Sequence, residues 1–363
     1  MNIEGKYNTA RVMTHRLDPE TREQIRGFLN EPFTKGEQVV IMPDTHAGKG
    51  AVIGTTMTIS GGQICPNLVG VDIGCGIHLA QLSTRTPLTK QELKRLDEVI
   101  KRHVPHGAGV NRKPVKTDID LDELTFKPKN VNRIRQSVGS LGGGNHFIEV
   151  SQMKEGYGLM VHSGSRGLGF QVANHHQRIA EQTTGHLVQL KDLAYLEGDL
   201  LDDYLNDMRI AQRYAKINRS TMLERIARHM GWQLESVVDS VHNYIGDDGV
   251  LRKGATDARN GQLVIIPINM RDGAILGRGL GNPDWNNSAP HGAGRLMSRT
   301  AAKHAIPLKD FKQQMEGIYS TSVNQKTIDE APDAYKPLSH IMENIHETID
   351  VVEMLKPIYN FKA

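Results

Sequence analysis

Apolar residues along the chain follow two rhythms. The runs "QVVIMP" (38–43), "HFIEV" (146–150), "YGLMVH" (157–162) and "QLVIIPI" (262–268) are of strand length, and each predicts a β-strand. Helical spacing appears elsewhere. In "TPLTKQELKRLDEVIKRHV" (86–104), Leu93, Leu96, Val99 and Ile100 share one face of an amphipathic helix. Leu201, Leu205, Met208, Ala211 and Ala215 predict a long helix or a helical pair over 200–232. Leu338, Ile341, Ile345, Ile349 and Val352 predict a last helix. Residues 106–130 are polar and aperiodic and read as a loop or flap, with candidate site residues on both sides of it. Strands and helices mix without regular βαβ alternation or an internal repeat. The expectation is one α+β domain over residues 1–363, with mixed or antiparallel sheets surrounded by helices.

Composition narrows this picture. A chain of 363 residues can bury an ample core, and 38% hydrophobic with 23% charged residues describes a soluble globular protein. A formal net charge of +3 gives no global basic signature, which leaves a local basic groove as the route to a nucleic acid. The N-terminal "MNIEGKYNTARVMTHRL" has no apolar signal region, and no run approaches the roughly 18 apolar residues of a membrane span. A cytoplasmic location is expected. With two cysteines, Cys65 and Cys75, a disulfide framework is not the reading.

The 36 glycines are clustered, and the clusters carry chemistry. "VGVDIGCG" holds Asp72 and Cys75, "GGGNHFIEV" holds His146, and "HSGSRGLG" begins with His162. His242 lies in "VHNY" with Asn243 beside it. A single histidine beside glycines is ordinarily a hydrogen-bonded loop residue. The recurrence at separate places is the signal: one Asp, one Cys and three His suffice for two metal ions if the sulfur bridges. Cysteine and histidine favour zinc, whereas a carboxylate with open positions leaves manganese open. Cys65 reads as core and His78 as a structural histidine.

Other features face phosphate. Ser163, Ser165 and Arg166 lie among the glycines of "HSGSRGLG", where backbone N–H groups can form an anion nest. In "SAPHGAGRLMSR" (288–299), His291 precedes Gly292, Ala293 and Gly294, leaving room for a bulky anion. Arg295 and Arg299 share a face if a helix begins near Gly294. No Walker loop and no dinucleotide fingerprint in its strand–turn–helix setting occurs.

Taken in order, "MPDTHAGKG" (42–50), "VGVDIGCG" (69–76), "GGGNHFIE" (142–149), "HSGSRG" (162–167), "HNY" (242–244), "RKGA" (252–255), "GLGN" (279–282) and "HGAGRLMSR" (291–299) resemble the RtcB family of RNA-splicing ligases over nearly the whole chain. The resemblance implies a central metal- and nucleotide-binding cleft. It implies a GTP- and Mn2+-dependent ligase that joins an RNA 3′-phosphate or 2′,3′-cyclic phosphate to a 5′-hydroxyl, in RNA repair or tRNA splicing. Cys75 resembles the thiolate bridging two manganese ions, with Asp72 and His146 on one side and His162 and His242 on the other. His291 resembles the nucleophile that carries GMP. Nucleotide contacts are implied at Asn145, His146, Phe147, Ile148 and Glu149, and at His242 and Asn243. They are also implied at Pro267, Asn269, Met270 and Ala274, at His291 to Gly294 through Gly292 and Ala293, and at Lys362. A monomer is expected, with an accessory activator protein as a possible partner.

Departures from the family pattern concentrate in one loop. After the "VIIP" strand the family commonly reads P-G-S-M-G, whereas this chain reads "PINMRDGA" (267–274), with Asn269 and Ala274 where serines are usual. Leu251 stands where a histidine is common. A divergent bacterial-type branch is implied, with guanine selectivity the property put in question. The competing enzyme class is a metal-dependent 2′,3′-cyclic phosphodiesterase, which would keep the metal ligands but have no need of His291 or Lys362. An RNA-binding scaffold would need none of them.

Overall fold

The computed structural model describes residues 1–84 and 87–363. Two sheets dominate. The first orders its strands Asn2–Glu4, Thr9–Val12, Val39–His46, Ile53–Thr58, Val250–Lys253 and Asn243–Ile245. All its neighbours are antiparallel except Thr9–Val12 with Val39–His46. The second sheet is antiparallel throughout. Its order is Leu234–Val241, Gly76–Leu82, Tyr157–Ser163, Phe147–Gln152, Ile349–Lys362, Gly273–Gly279 and Leu263–Asn269. Its two outer strands approach each other, since the Ile265 N–H donates to Ser240 Oγ at 3.3 Å, so the sheet curls back on itself. All four predicted strands are present, and the architecture is α+β as expected.

Helix α1 (Pro19–Leu29) covers the first sheet. The predicted 86–104 helix is α2, Lys90–His103; Thr86 lies outside the described residues. Thr89 caps α2 through the Glu92 N–H while the Glu92 carboxylate accepts from the Thr89 N–H, a reciprocal box that fixes its start. After the irregular 106–130 segment come α3 (Val131–Gln136) and α4 (Arg166–Thr183). The predicted 200–232 element is one helix, α5, Asp199–Met230. No glycine or proline interrupts it, and it ends where Gly231 takes a left-handed φ of 75°. Tyr204, Met208, Ala211 and Tyr214 of α5 join the core under the first sheet, and Met222, Leu223, Ile226 and Met230 join the core under the second.

One element differs from the sequence reading. The last predicted helix is only a short turn, Leu338–Met342, and Ile349–Lys362 is a strand of 14 residues. The apolar spacing from 338 to 352 fits a helix, but Ile349–Lys362 must pair on both edges to join the two halves of the second sheet. Backbone pairing on both sides outweighs the local period, and β-branched and aromatic residues such as Val351, Val352, Ile358 and Tyr359 suit a strand. Cys65 and His78 have the structural roles expected: Cys65 is fully buried, and His78 Nε2 lies 2.9 Å from Asp239 Oδ1.

Candidate active site

A cavity of about 400 Å³ takes residues from both sheets and from the loops that follow them. Three glycine-rich loops at its wall are pinned from beneath by α5. The Asn218 side chain accepts from the Gly139 and Ser140 N–H groups and donates to Ser163 Oγ and Gly164 O. Arg219, fully buried, donates to Gly74 O at 2.7 Å, to Ser163 O at 3.0 Å and to Asp239 at 2.9 Å. Neither residue was singled out from the sequence. The readable signal is a polar pair on the core-facing side of an amphipathic helix, which burial obliges to find partners. Gly164 is required for a steric reason: a Cβ there would lie 2.0 Å from Asp72 Oδ1.

Five of the sequence-selected residues converge in this wall. Asp72, Cys75 and His146 form one group of potential ligand atoms, and Cys75, His162 and His242 form a second; within each group the atoms lie within 4.8 Å of one another. Cys75 Sγ is common to both. It lies 3.7 Å from His146 Nε2 and 3.3 Å from His162 Nε2, while His162 and His242 bring their Nε2 atoms to 3.4 Å. His146 Nδ1 donates to Leu141 O at 2.8 Å, and His162 Nδ1 donates to Asn145 O at 3.2 Å. Those bonds fix the tautomers, so both Nε2 lone pairs face the shared sulfur, the usual outer bond of a metal-binding imidazole. Burial pushes His162 and His242 well below the ordinary histidine range, and burial together with the Asp72 charge pushes the Cys75 thiol well up. Neutral imidazoles and a buried thiol that ionises only beside a cation are a donor set suited to divalent metal.

His291 faces the cavity beside this cluster, its ring centroid 4.9 Å from that of His242. Its Nδ1 donates to Asp44 Oδ2 at 2.7 Å. Asp44 is fully buried at the end of the Val39–His46 strand, and its Oδ1 has no partner. The bond leaves His291 Nε2 as the free lone pair. Two contacts hold the strand end: Lys336 Nζ donates to Thr45 O at 2.7 Å, and His340 Nε2 donates to Pro43 O at 3.0 Å. The glycines after His291 serve this pairing. Gly294 has a φ of 74°, and a Cβ there would lie 2.0 Å from Asp44 O, so its backbone is packed against Asp44. Gly292 borders the cavity, where a Cβ would meet Pro267 O at 3.2 Å. Asp44, Lys336 and His340 were not identified from the sequence, because their contacts exist only in space.

At another part of the cavity wall lies a charged network. Glu330 accepts from Tyr335 OH at 2.6 Å and from Arg299 at 2.7 Å, and it pairs with Lys362 Nζ and, at 3.3 Å, with Arg295. Burial opposes its charge, but Lys362 and Arg299 outweigh this and hold its carboxyl below the usual range. The two arginines do meet, though not on one helix face: Ser298 caps a helix that begins only at Arg299, and Arg295 precedes it in extended backbone bridged to Tyr335. Nearby, Glu149 accepts from Ser151 Oγ at 2.7 Å and Asn360 Nδ2 at 2.8 Å. Burial raises its carboxyl to about 7, against the pull of Ser151, Asn360 and Lys362. Lys362 Nζ also stands 5.6 Å from the centre of the Phe147 ring.

The residues selected as nucleotide contacts divide between the cavity wall and its surroundings. Asn145, Phe147, Glu149, Asn243, Pro267, Met270, Ala293 and Lys362 line the cavity. Ile148 and Ala274 are fully buried in separate apolar clusters, and Gly273 lines the cavity in place of Ala274. Asn269 lines the cavity, but its side chain is engaged in its own turn, donating to Asp272 at 2.8 Å and accepting from the Arg271 and Asp272 N–H groups. In "HSGSRG", Ser163 Oγ donates to Leu141 O, Ser165 is buried, and neither serine nor Arg166 lines this cavity.

Fold and cavity thus define an α+β protein with two ligand triads on one thiol, set beside a carboxylate-backed histidine. The chain belongs to the RtcB family: the family model described as tRNA-splicing ligase RtcB matches residues 24–127 and 117–363. RNA-splicing ligase RtcB of Escherichia coli K12 is 32% identical over 96% of this chain and 95% of its own. The tRNA-splicing ligases RtcB of Archaeoglobus fulgidus and Aeropyrum pernix are 26% and 28% identical, over 99% and 85% of this chain and 94% and 84% of their own. Among the described residues, no helix is long and apolar enough to cross a membrane.

Proposed function

We propose that the protein is an RNA ligase that uses GTP and two Mn2+ ions to join a 3′-phosphate or 2′,3′-cyclic phosphate end to a 5′-hydroxyl end. The observation that carries this reading is the Asp44–His291 pair, which presents one free imidazole nitrogen to a nucleotide-sized cavity 4.9 Å, ring to ring, from a metal-type cluster. A phosphodiesterase acting through metal alone would have no use for that nitrogen.

Asp72 and His146 would hold one ion, His162 and His242 the other, and Cys75 both. When bound, the ions supply Lewis-acid neutralisation of phosphate charge. His291 Nε2 attacks the α-phosphorus of GTP; its bond to phosphorus forms as the bond to pyrophosphate breaks. Asp44 balances the positive charge that develops on the ring through the Nδ1–H bond. Gly292, without a side chain, lets the nucleotide approach. Glu149 and the Lys362–Glu330 pair face the base. An oxygen of the RNA 3′-phosphate then attacks the same phosphorus, and His291 leaves, giving an anhydride between RNA and GMP. Attack by the 5′-hydroxyl on the RNA phosphorus forms the phosphodiester as the bond to GMP breaks, and the hydroxyl proton passes to solvent. A cyclic end is first opened by water.

The test is a joining assay with an RNA pair bearing 3′-phosphate and 5′-hydroxyl ends. A joined strand that requires GTP supports the reading. An opened cyclic end without joining would replace ligase by phosphodiesterase, and a gel shift without either product would leave only a binding protein.

A further inference from the structure

A second cavity, of about 230 Å³, is lined by Lys129, Asn130, Arg133, Arg166, Gly167 and Gln171 among others. Among the described residues, three cations and no carboxylate line it. Arg166, at the start of α4, has a φ of 55°, a conformation that non-glycine residues seldom hold without a structural reason. Among the described residues, its guanidinium donates to neutral oxygens alone, Ser140 Oγ at 3.3 Å and Gly107 O at 3.2 Å. Among the described residues, Lys129, Arg133 and Arg166 form no ion pair. Burial lowers the basicity of Arg166; Asp72 and Tyr214 support its charge and Arg133 opposes it. A partly buried cation that makes no ion pair is costly, and an anion in the cavity would relieve that cost.

The cavity stands next to the ligand cluster. A Cβ on Gly142 would overlap the Arg166 guanidinium at 1.8 Å, and would lie 3.0 Å from Nδ1 of His146. One guanidinium therefore stands between the second cavity and the outer side of the cluster. On α4, which lends Arg166, Gly167 and Gln171 to the cavity, Phe170 immediately precedes Gln171 and is 56% exposed. Cations that take phosphate, next to an aromatic face that takes a base, are the parts of a single-strand nucleic-acid site.

We propose that this cavity docks the RNA strand beyond its reacting end, with a backbone phosphodiester among Lys129, Arg133 and Arg166 and an adjoining base stacked on Phe170. The inference rests on the RNA-ligase reading above. The strand would run from this cavity past Arg166 to the cluster.

The variants Lys129→Ala/Arg133→Ala and Phe170→Ala change exposed side chains, and GTP labelling of His291 checks that their active site is intact. The probe is a 3′-phosphorylated single-stranded RNA of about ten nucleotides, titrated at several salt concentrations. The double variant should lower the slope of log Kd against log salt by about 1.4, two phosphate contacts at about 0.7 each. Phe170→Ala should weaken binding about tenfold and leave the slope unchanged. Both should label with GTP like the wild type. Variants that keep the wild-type Kd and slope, against a wild type that binds and joins RNA, would overturn the docking site alone. A wild type that binds no RNA would overturn both the site and the ligase reading.

Discussion

Replacing Asp44 by Asn preserves volume and removes one charge from a buried pair. In the wild type the Asp44–His291 bond is 2.7 Å long, and Asp44 is closed to solvent. A hydrogen bond to a charged group in such a place contributes about 2–3 kcal/mol. Its full value is drawn on as positive charge grows on the attacking imidazole, so the rate of nucleotidyl transfer to His291 should fall by about 30- to 150-fold. Asn also offers an N–H to Nδ1, which would favour the tautomer whose Nε2 has no lone pair. The assay is single-turnover transfer of label from α-labelled GTP, with metal content and thermal melting measured beside it. A variant that folds, binds metal and labels within about twofold of the wild-type rate would refute the role given to Asp44.

Three other outcomes follow from the geometry. Glu149→Gln should change how stability depends on pH: the carboxyl stands near 7 in the fold against an ordinary 4.5, so its protonated form is favoured and its contribution, full below about 4.5, is lost as pH rises through 7. Chemical denaturation should show the wild type losing about 3 kcal/mol across that window relative to the Gln variant; parallel profiles would contradict the burial argument. Gly294→Ala, which places a Cβ 2.0 Å from Asp44 O, should abolish GTP labelling and lower Tm while the five metal ligands still bind; normal labelling would show that Gly294 need not pack against Asp44. A chelator should lower the Tm of the wild type more than that of His162→Ala/His242→Ala, which keeps the Asp72, Cys75 and His146 group; an equal fall in both would place the stabilising metal away from His162 and His242.

The cluster of candidate ligands was legible because such residue types stand out among glycines. Asp72, Cys75, His146 and His162 stand in glycine-rich stretches in or beside strands, His242 stands between two strands, and the fold brings them together. The strands were legible because short apolar runs end at such stretches. The missed residues share a different character. Asp44 closes an apolar strand, Glu330 lies in a polar loop, and Asn218 and Arg219 sit inside a helix; each acquires its role only from a partner far along the chain. The C-terminal segment was misread because the spacing from Leu338 to Val352 satisfies a helical period, whereas its pairing partners, residues 147–152 and 273–279, are visible only in the sheet. The unusual "PINMRDGA" loop shows the same limit. Its departure from the family pattern is plain in the sequence, but only the structure shows Asn269 occupied by Asp272.

The most direct test of the account is to incubate the protein with α-labelled GTP and Mn2+ beside His291→Ala, with ATP as a competitor. An acid-labile label on the wild type, mapped to His291 and lost in the variant, is the predicted result. A folded, metal-loaded wild type that takes no label, or one labelled equally without His291, would contradict it.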